Sequence, residues 1–328
     1  MPSPSPALLF AARFLPAAFL FLTFAPLAHA QAQTAADWIE RAAYAARNYN
    51  YIGTIVYQTG ARVESSRIVH MFDSGQEYEK LVNLDGPPRE IVRTQNEVRC
   101  YYPDSKIIQV LPRTFRNVFP SLSPEQQQSL AQYYTFRVVT GERVGGKAAT
   151  VVSFDPKDGF RYGHRFWSDA ATGLLLKARM VNERGDVIEQ FAFTDLTISA
   201  KVDRSMVEPS WPASPPEWKI AQAGAGDVTP HDTGWFVARI PAGFNKIMEG
   251  FRQLRGRSAP VAHLVYSDGL VAVSVFIEPI AGAPPPLGML QQGGLNVYSV
   301  RLDDQVVTAL GEAPGATVRQ IANSVSRR

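Results

Sequence analysis

Between residues 51 and 111 the chain offers six apolar or alternating stretches: Tyr51 to Tyr57, Val63 to Phe72, Glu77 to Val82, Arg89 to Arg93, Glu97 to Tyr102 and Ile107 to Leu111. Only turn residues separate them. A parallel crossover needs about a dozen residues or more, usually a helix, and none of these gaps has room for one. The spacing therefore predicts neighbouring antiparallel strands rather than alternating βαβ units. The pattern resumes at Thr135 to Thr140, Ala149 to Phe154, Tyr162 to Ser168, Leu174 to Val181 and Val187 to Leu196, with turns at Thr172-Gly173 and Arg184-Gly185. One long, twisted, mostly antiparallel sheet follows from this.

Two helices interrupt the strand pattern. Thr34 can cap the first, Asp37 stands where a capping box places an acid, and Trp38, Ala42, Ala46 and Tyr49 share one face. Ser123-Pro124-Glu125-Gln126 supplies a cap, a proline at the first helical position and a box partner, predicting a short helix from Pro124 to about Tyr133.

From Glu208 to Gly234 the residues Pro209, Pro212, Pro215, Pro216, Gly224, Gly226 and Pro230 leave no room for a regular element, which reads as an interdomain linker. Beyond it, Trp235 to Ile240 reads as a strand. Val261 to Tyr266 and Leu270 to Ile277 form a hairpin around Asp268-Gly269, and Val297 to Leu302 pairs with Val306 to Leu310. Thr317 to Val325 closes as a helix with Val318, Ile321, Ala322 and Val325 on one stripe. Ala281 to Gly294, holding Pro284, Pro285, Pro286, Leu287, Met289 and Leu290, reads as a long loop with an apolar centre, either a mobile contact or a plain connection. The fold class is α+β, with residues 31–207 as a large domain, 208–233 as linker and 234–328 as a smaller sheet-and-helix domain.

Residues 1–30 read as a secretory signal: Arg13 precedes an apolar run from Phe14 to Phe24, and Ala28-His29-Ala30 has the small-x-small form cut by signal peptidase, before Gln31. That run is shorter than the ~20 residues a membrane-spanning helix needs. The expected mature chain is exported and soluble. Cys100 is the single cysteine, so no disulfide forms within the chain, and the thiol reads as a buried strand residue. A formal net charge of +3 over 328 residues is far from the basic excess of a nucleic-acid binder.

Catalytic and metal patterns are missing from the sequence. Gly141-Glu142-Arg143-Val144-Gly145-Gly146-Lys147-Ala148 has the glycine-to-lysine spacing of a phosphate loop. Ala148 replaces the hydroxyl that would hold magnesium, however, and strand rather than helix follows, so a hairpin turn is the better reading. His70, His164, His231 and His263 lack zinc spacing, no Gly-x-Ser-x-Gly elbow is present, and Asp155-Pro156-Lys157-Asp158-Gly159 reads as a turn. The reading is a binding protein without cofactor or metal, and not an enzyme.

Tyr57, Phe72, Tyr101, Phe166, Trp167, Phe191 and Phe193 fall within the predicted strands. Most serve the core, but a curved sheet can also enclose an apolar pocket. Left empty, a cavity of about 300 Å³ would cost about 7 kcal/mol. An acyl chain gaining ~0.8 kcal/mol per buried methylene would offset that cost.

Several stretches together resemble the MucB/RseB family of periplasmic regulators of the envelope-stress sigma factor, and they span nearly the whole chain after the signal. In the large domain they are Gly53 to Tyr57, Glu64 to His70, Leu84 to Glu90 and Gly163 to Asp169, followed by Thr172 to Lys177. In the small domain they are His263 to Leu270, Val273 to Glu278 and Asn296 to Tyr298. Gly293-Gly294-Leu295 departs from the small residue that relatives tend to carry next to the Asn-x-Tyr.

The resemblance implies a LolA/LolB-like half barrel for the large domain, a half-open sheet over helices. It also implies a membrane-bound anti-sigma factor of the MucA/RseA type as partner, whose periplasmic segment is bound and shielded from the site-1 protease. Lipopolysaccharide or another lipid would be the releasing signal, and self-association is left open. On that basis the candidate contact or interdomain residues are His263, Tyr266, Asp268, Phe276, Asn296 and Tyr298. The candidate lipid-binding residues are Tyr57, Phe72, Tyr101, Phe166 and Trp167, with Arg89, Arg93 or Arg99 meeting phosphate. The alternative is a periplasmic lipid or lipoprotein carrier, since the large domain alone would look like one.

Overall fold

The computed structural model describes residues 25–112, 124–222, 228–254, 259–280 and 286–328, with side chains described from residue 35 onward except at 112, 124–128 and 222. Most of the expected signal, the Ser123 cap, Gly224, Gly226, Pro284 and Pro285 lie outside the described residues. The first helix, α1 (Ala25–Asn48), does not begin at Thr34. The residues upstream of Thr34 are rich in alanine, the strongest helix former, so nothing there stops the helix. Its buried face is also rotated from the expected one. Ala35, Ile39, Ala42 and Ala43 enter the core, while Trp38, Ala46 and Tyr49 sit at its margin.

Strands β1 (Tyr51–Thr59), β2 (Arg62–Asp73), β3 (Gln76–Asn83), β4 (Glu90–Arg93), β5 (Glu97–Tyr102) and β6 (Ile107–Pro112) form an antiparallel meander. After α2 (Pro124–Tyr133) a second meander follows: β7 (Tyr134–Val144), β8 (Lys147–Pro156), β9 (Gly163–Asp169), β10 (Leu175–Val181) and β11 (Val187–Ile198). Pairing of β1 with β11 joins the two meanders into one sheet of twelve strands, ordered β6-β5-β4-β3-β2-β1-β11-β10-β9-β8-β7 with one further strand beyond β6. The Gly145-Gly146 turn connects β7 to β8 as a hairpin, both glycines having positive φ. The helix-facing side of the sheet carries Val152, Phe154, Phe166, Ala178 and Phe191 against α1.

The twelfth strand, β12 (Lys219–Gln222), corrects the reading of the linker as devoid of regular structure: it pairs parallel with β6. Prolines at 209, 212, 215 and 216 stop upstream of it, so the backbone donors of residues 219–222 are free to pair. The preceding stretch is a strap across the sheet face opposite α1. Val207 packs on Met71 and Tyr78, while Trp211 and Trp218 pack beside the buried Tyr101, Val92 and Ile108. Buried Glu90 fastens the strap by accepting from Ser210 N at 2.8 Å and Ser210 Oγ at 2.7 Å, with Lys80 Nζ 3.2 Å away.

In the second domain β13 (Thr229–Pro230), β15 (Asn245–Arg252), β16 (Val261–Ser267), β17 (Ala272–Pro279), β18 (Gly288–Gln292), β19 (Leu295–Leu302) and β20 (Gln305–Gly311) form a sheet ordered β13-β15-β16-β17-β20-β19-β18. The strand expected at 235–240 is the shorter β14 (Trp235–Val237). It pairs with β21 (Val325–Arg327) outside that sheet. Helix α3 (Gly315–Ala322) ends before Val325, which is buried from a strand, while Val318, Ile321 and Ala322 pack as expected. Three strands of this sheet escaped the sequence reading, β13 because it falls in the expected linker. In β15 a bulge between Lys246 and Met248 scrambles the alternation, and β18 lies in the expected 281–294 loop, where the proline run masked it.

Candidate functional site

The turn between β16 and β17 leaves the small domain and enters the large one. Asp268 Oδ1 accepts the turn amides of Leu270 and Val271, both at 3.0 Å, which fixes the carboxylate. Its Oδ2 then accepts from Arg161 Nε at 2.9 Å and from Tyr134 OH at 3.3 Å, and Leu270 touches the apolar clusters of both domains. The Arg161 side chain is wholly buried. Its remaining nitrogens reach Asp158 and the carbonyl of Ala242, and the guanidinium lies over the rings of Tyr133 at 4.5 Å and Phe244 at 5.1 Å. A planar, always-charged group with five donors suits this role, which a lysine could not fill. Burial, reinforced by Asp268, pushes the Tyr134 hydroxyl far above the ordinary phenol range, so it stays a donor. Gly243, with φ +84°, is required here, because a Cβ would stand 2.4 Å from the Tyr133 ring.

Both neighbours of Arg161 are tied to the small domain too. Thr317 Oγ1 donates to Phe160 O at 2.7 Å, and Asn296 Nδ2 donates to Tyr162 OH at 2.8 Å and to Ala313 O at 2.8 Å. Three consecutive residues thus make a polar seam. A second contact lies at the β18–β19 turn. Cβ atoms on Gly293 and Gly294 would stand 2.1 Å from Thr59 Oγ1 and 2.2 Å from Met180 Cε, so that tip is seated on the large sheet. Beside it Tyr57 OH donates to Glu189 Oε1, and burial raises the carboxyl above its usual range.

The structure brings Asp268 and Asn296 into the seam but not the other small-domain candidates. Tyr266 is core, Tyr298 lies under the Arg319 guanidinium, and His263 stacks on Phe276 with centroids 4.2 Å apart. The lipid candidates are split by the period-2 alternation of the strands. Tyr57, Phe72, Arg89, Arg93 and Phe166 lie on the α1 side, whereas Arg99, Tyr101 and Trp167 lie on the opposite side. One cavity cannot hold all of them. The three arginines are moreover paired within the sheet: Arg89 with Glu64 and Asn83, Arg93 with Glu79, and Arg99 with Glu97. Tyr101 lies under Trp211.

The sequence reading missed Arg161, Tyr134 and Tyr162. The available signal was an arginine flanked by aromatics directly after an Asp-Gly turn. Among the described residues no three His, Cys, Asp or Glu side chains converge as a metal site, Cys100 is buried, and no helix is long and apolar enough to cross a membrane.

Burial pushes the His263 and His164 imidazoles down to about 4. An unfolded histidine titrates near ~6.5, so between those values the unfolded chain takes the proton first. Stability therefore falls as pH drops through that window, by up to about 3 kcal/mol for the buried His263. The urea midpoint should be lower at pH 5 than at pH 7.5, and His263→Phe should narrow the difference, with His164 supplying what remains. An equal midpoint at both pH values contradicts this.

Two sheets clamped together by a buried cation and a continuous polar seam define a two-domain binding scaffold. Comparison with known proteins specifies it. Residues 34–211 match the MucB/RseB N-terminal domain and residues 229–326 the MucB/RseB C-terminal domain, so the chain belongs to the MucB/RseB family. It is 34% identical over 300 residues to the sigma factor AlgU regulatory protein MucB of Pseudomonas aeruginosa, covering 90% of this chain and 92% of that protein. To the sigma-E factor regulatory protein RseB of Escherichia coli K12 it is 25% identical over 282 residues, covering 86% of this chain and 87% of that one. Among solved structures, MucB in complex with MucA(peri) superposes with a TM-score of 0.69 at 30% identity, covering 90% of this chain and 99% of that one. The crystal structure of MucB superposes at 0.59 with 29% identity, covering 90% and 98%. The chain is a periplasmic protein of sigma-factor regulation and not an enzyme.

Proposed function

We propose that this chain is a negative regulator of the envelope-stress response: it holds the periplasmic segment of a membrane-bound anti-sigma factor of the MucA/RseA type and shields it from the site-1 protease until a lipid, such as lipopolysaccharide, releases it. The observation that supports this reading best is the pair of TM-scores. At nearly equal identity and coverage, this chain resembles MucB in complex with MucA(peri) (0.69) more than the crystal structure of MucB (0.59). In this chain the seam is formed, so its two sheets are held together as one surface on which a flexible tail can lie. A protease needs such a tail extended and free, so occupancy alone blocks cleavage. Lipid releases the tail by binding better to an arrangement that holds it poorly, since a ligand shifts an equilibrium only through differential affinity.

The test is capture. Immobilised protein is expected to retain the anti-sigma factor from a detergent-solubilised envelope extract and to lose it when lipopolysaccharide is added. Recovery of no anti-sigma factor overturns the reading.

A further inference from the structure

On the large sheet, the face away from α1 carries an arrangement that folding alone does not explain. Cross-strand register aligns Arg137, Ser153, Arg165, Arg179, Gln190 and Gln58 in one row over β7, β8, β9, β10, β11 and β1. At ~4.8 Å per strand the row is about 24 Å long and holds no acid. Arg165 and Arg179 are directly opposite each other, and like charges so placed are destabilising. In the next row Lys177 is opposite Trp167, its ammonium 4.7 Å from the ring centre, with the Arg179 guanidinium 5.4 Å from it.

Carboxylates reach only part of this arrangement: Arg137 pairs with Asp155 at the end of the row, and Glu142 favours the charged form of Lys177. Among the described residues Arg165, Lys177 and Arg179 have no ion pair, and the buried Arg165 Nε has no hydrogen-bond partner. Glu142, the nearby acid, accepts from Trp167 Nε1 at 2.6 Å. Arg179 Nε donates to Gln190 Oε1 at 2.7 Å, and Gln190 Nε2 passes the polarity on to Gln58 Oε1 at 2.8 Å. Burial and Arg179 together lower the affinity of Lys177 for its proton, as expected of cations partly stripped of water. Lys177 and Arg179 held over a buried indole, with Arg165 opposite Arg179 and none of the three in an ion pair among the described residues, form a binding arrangement whose repulsion an incoming anion would relieve.

We infer that this row is a binding track for an acidic, extended peptide, in which Arg165, Arg179 and Lys177 meet its carboxylates and Gln190 and Gln58 meet its backbone. A line one residue wide, continued by amides that both donate and accept, matches an extended chain. It does not match a bilayer: a flat, wide anionic surface would lie against Glu142, Asp155 and Asp195, which share this face by register, whereas a single chain following the row need not meet them. The inference rests on the regulator reading above, in which the peptide is part of the anti-sigma segment.

The experiment measures fluorescence anisotropy of two labelled peptides, the periplasmic segment of the cognate anti-sigma factor and an oligoglutamate, against wild type and an Arg165→Gln/Arg179→Gln variant, from low to high salt. The variant is expected to bind both peptides about tenfold more weakly at low salt, with a flatter salt dependence. Its thermal midpoint should equal or exceed that of wild type, because a like-charge contact has been removed. Unchanged affinity and salt slope for the segment overturn the track, as does a fall in the midpoint, which would make the arginines structural. Wild type that binds oligoglutamate in an Arg165- and Arg179-dependent way, but not the segment, overturns the regulator reading and leaves the track standing. Vesicles of phosphatidylglycerol form a third arm: loss of vesicle binding in the variant, with peptide binding intact, overturns the choice of a peptide.

Discussion

Replacing Asp268 by alanine is expected to destabilise the protein by about 3–5 kcal/mol, the usual consequence of removing one partner from a buried ion pair. The loss is large because Arg161 and Asp268 both have fully buried side chains, so no water replaces the missing carboxylate. Tyr134 OH loses its acceptor, and the amides of Leu270 and Val271 lose theirs. Asp268→Asn separates the contributions. Its side-chain oxygen still accepts from the turn amides, while the buried charge beside Arg161 is gone and only the partly exposed Asp158 carboxylate remains, so its cost should fall between wild type and alanine. Because the pair joins two sheets with separate apolar clusters, denaturant unfolding of Asp268→Ala should resolve into two transitions where wild type gives one. A single unfolding curve at the wild-type midpoint contradicts the seam as the coupling element.

Glu90→Ala should cost about 3 kcal/mol by releasing the strap. Glu90 is 1% exposed and accepts both the backbone and the hydroxyl of Ser210, and it lies 3.2 Å from the mostly buried Lys80 ammonium. Without it Lys80 keeps Glu208 O and Ser210 Oγ, neutral acceptors that do not balance a charge. The prolines of the strap make no ladder, so side-chain contacts hold it. Trp211 and Trp218 report the outcome directly. Their fluorescence should shift to the red in the variant, and limited proteolysis should open a new cut between residues 208 and 218. Unshifted emission with wild-type stability contradicts a strap fastened at Glu90.

The physical reason why strands were legible and the seam was not is the range of the interactions. In β5, Glu97 to Tyr102 is marked locally by alternation and by flanking turns, and α2 is marked at its start by a proline. Arg161 and Asp268 are 107 positions apart, and nothing near either residue says that the other will neutralise it. Asp268-Gly269 carried only the signal of a turn, which it also is. The linker strand β12 takes its order from β6, not from its own composition. Grouping Arg99 and Tyr101 with Phe166 meets a related limit: alternation says that neighbours face opposite ways but not which way is inward, and the strap covers the side of the sheet on which Arg99 and Tyr101 lie. Family resemblance added the partner class, which no spacing in the chain encodes.

The central claim is that this protein works by occupying a flexible tail. The rate at which purified site-1 protease cuts the periplasmic segment of the anti-sigma factor, measured with and without stoichiometric wild-type protein, tests it most directly. Cleavage should nearly stop in the presence of the protein, resume when lipopolysaccharide is added, and resume without lipid in Asp268→Ala under conditions where both domains remain folded. Cleavage at an undiminished rate under saturating wild-type protein would contradict the account.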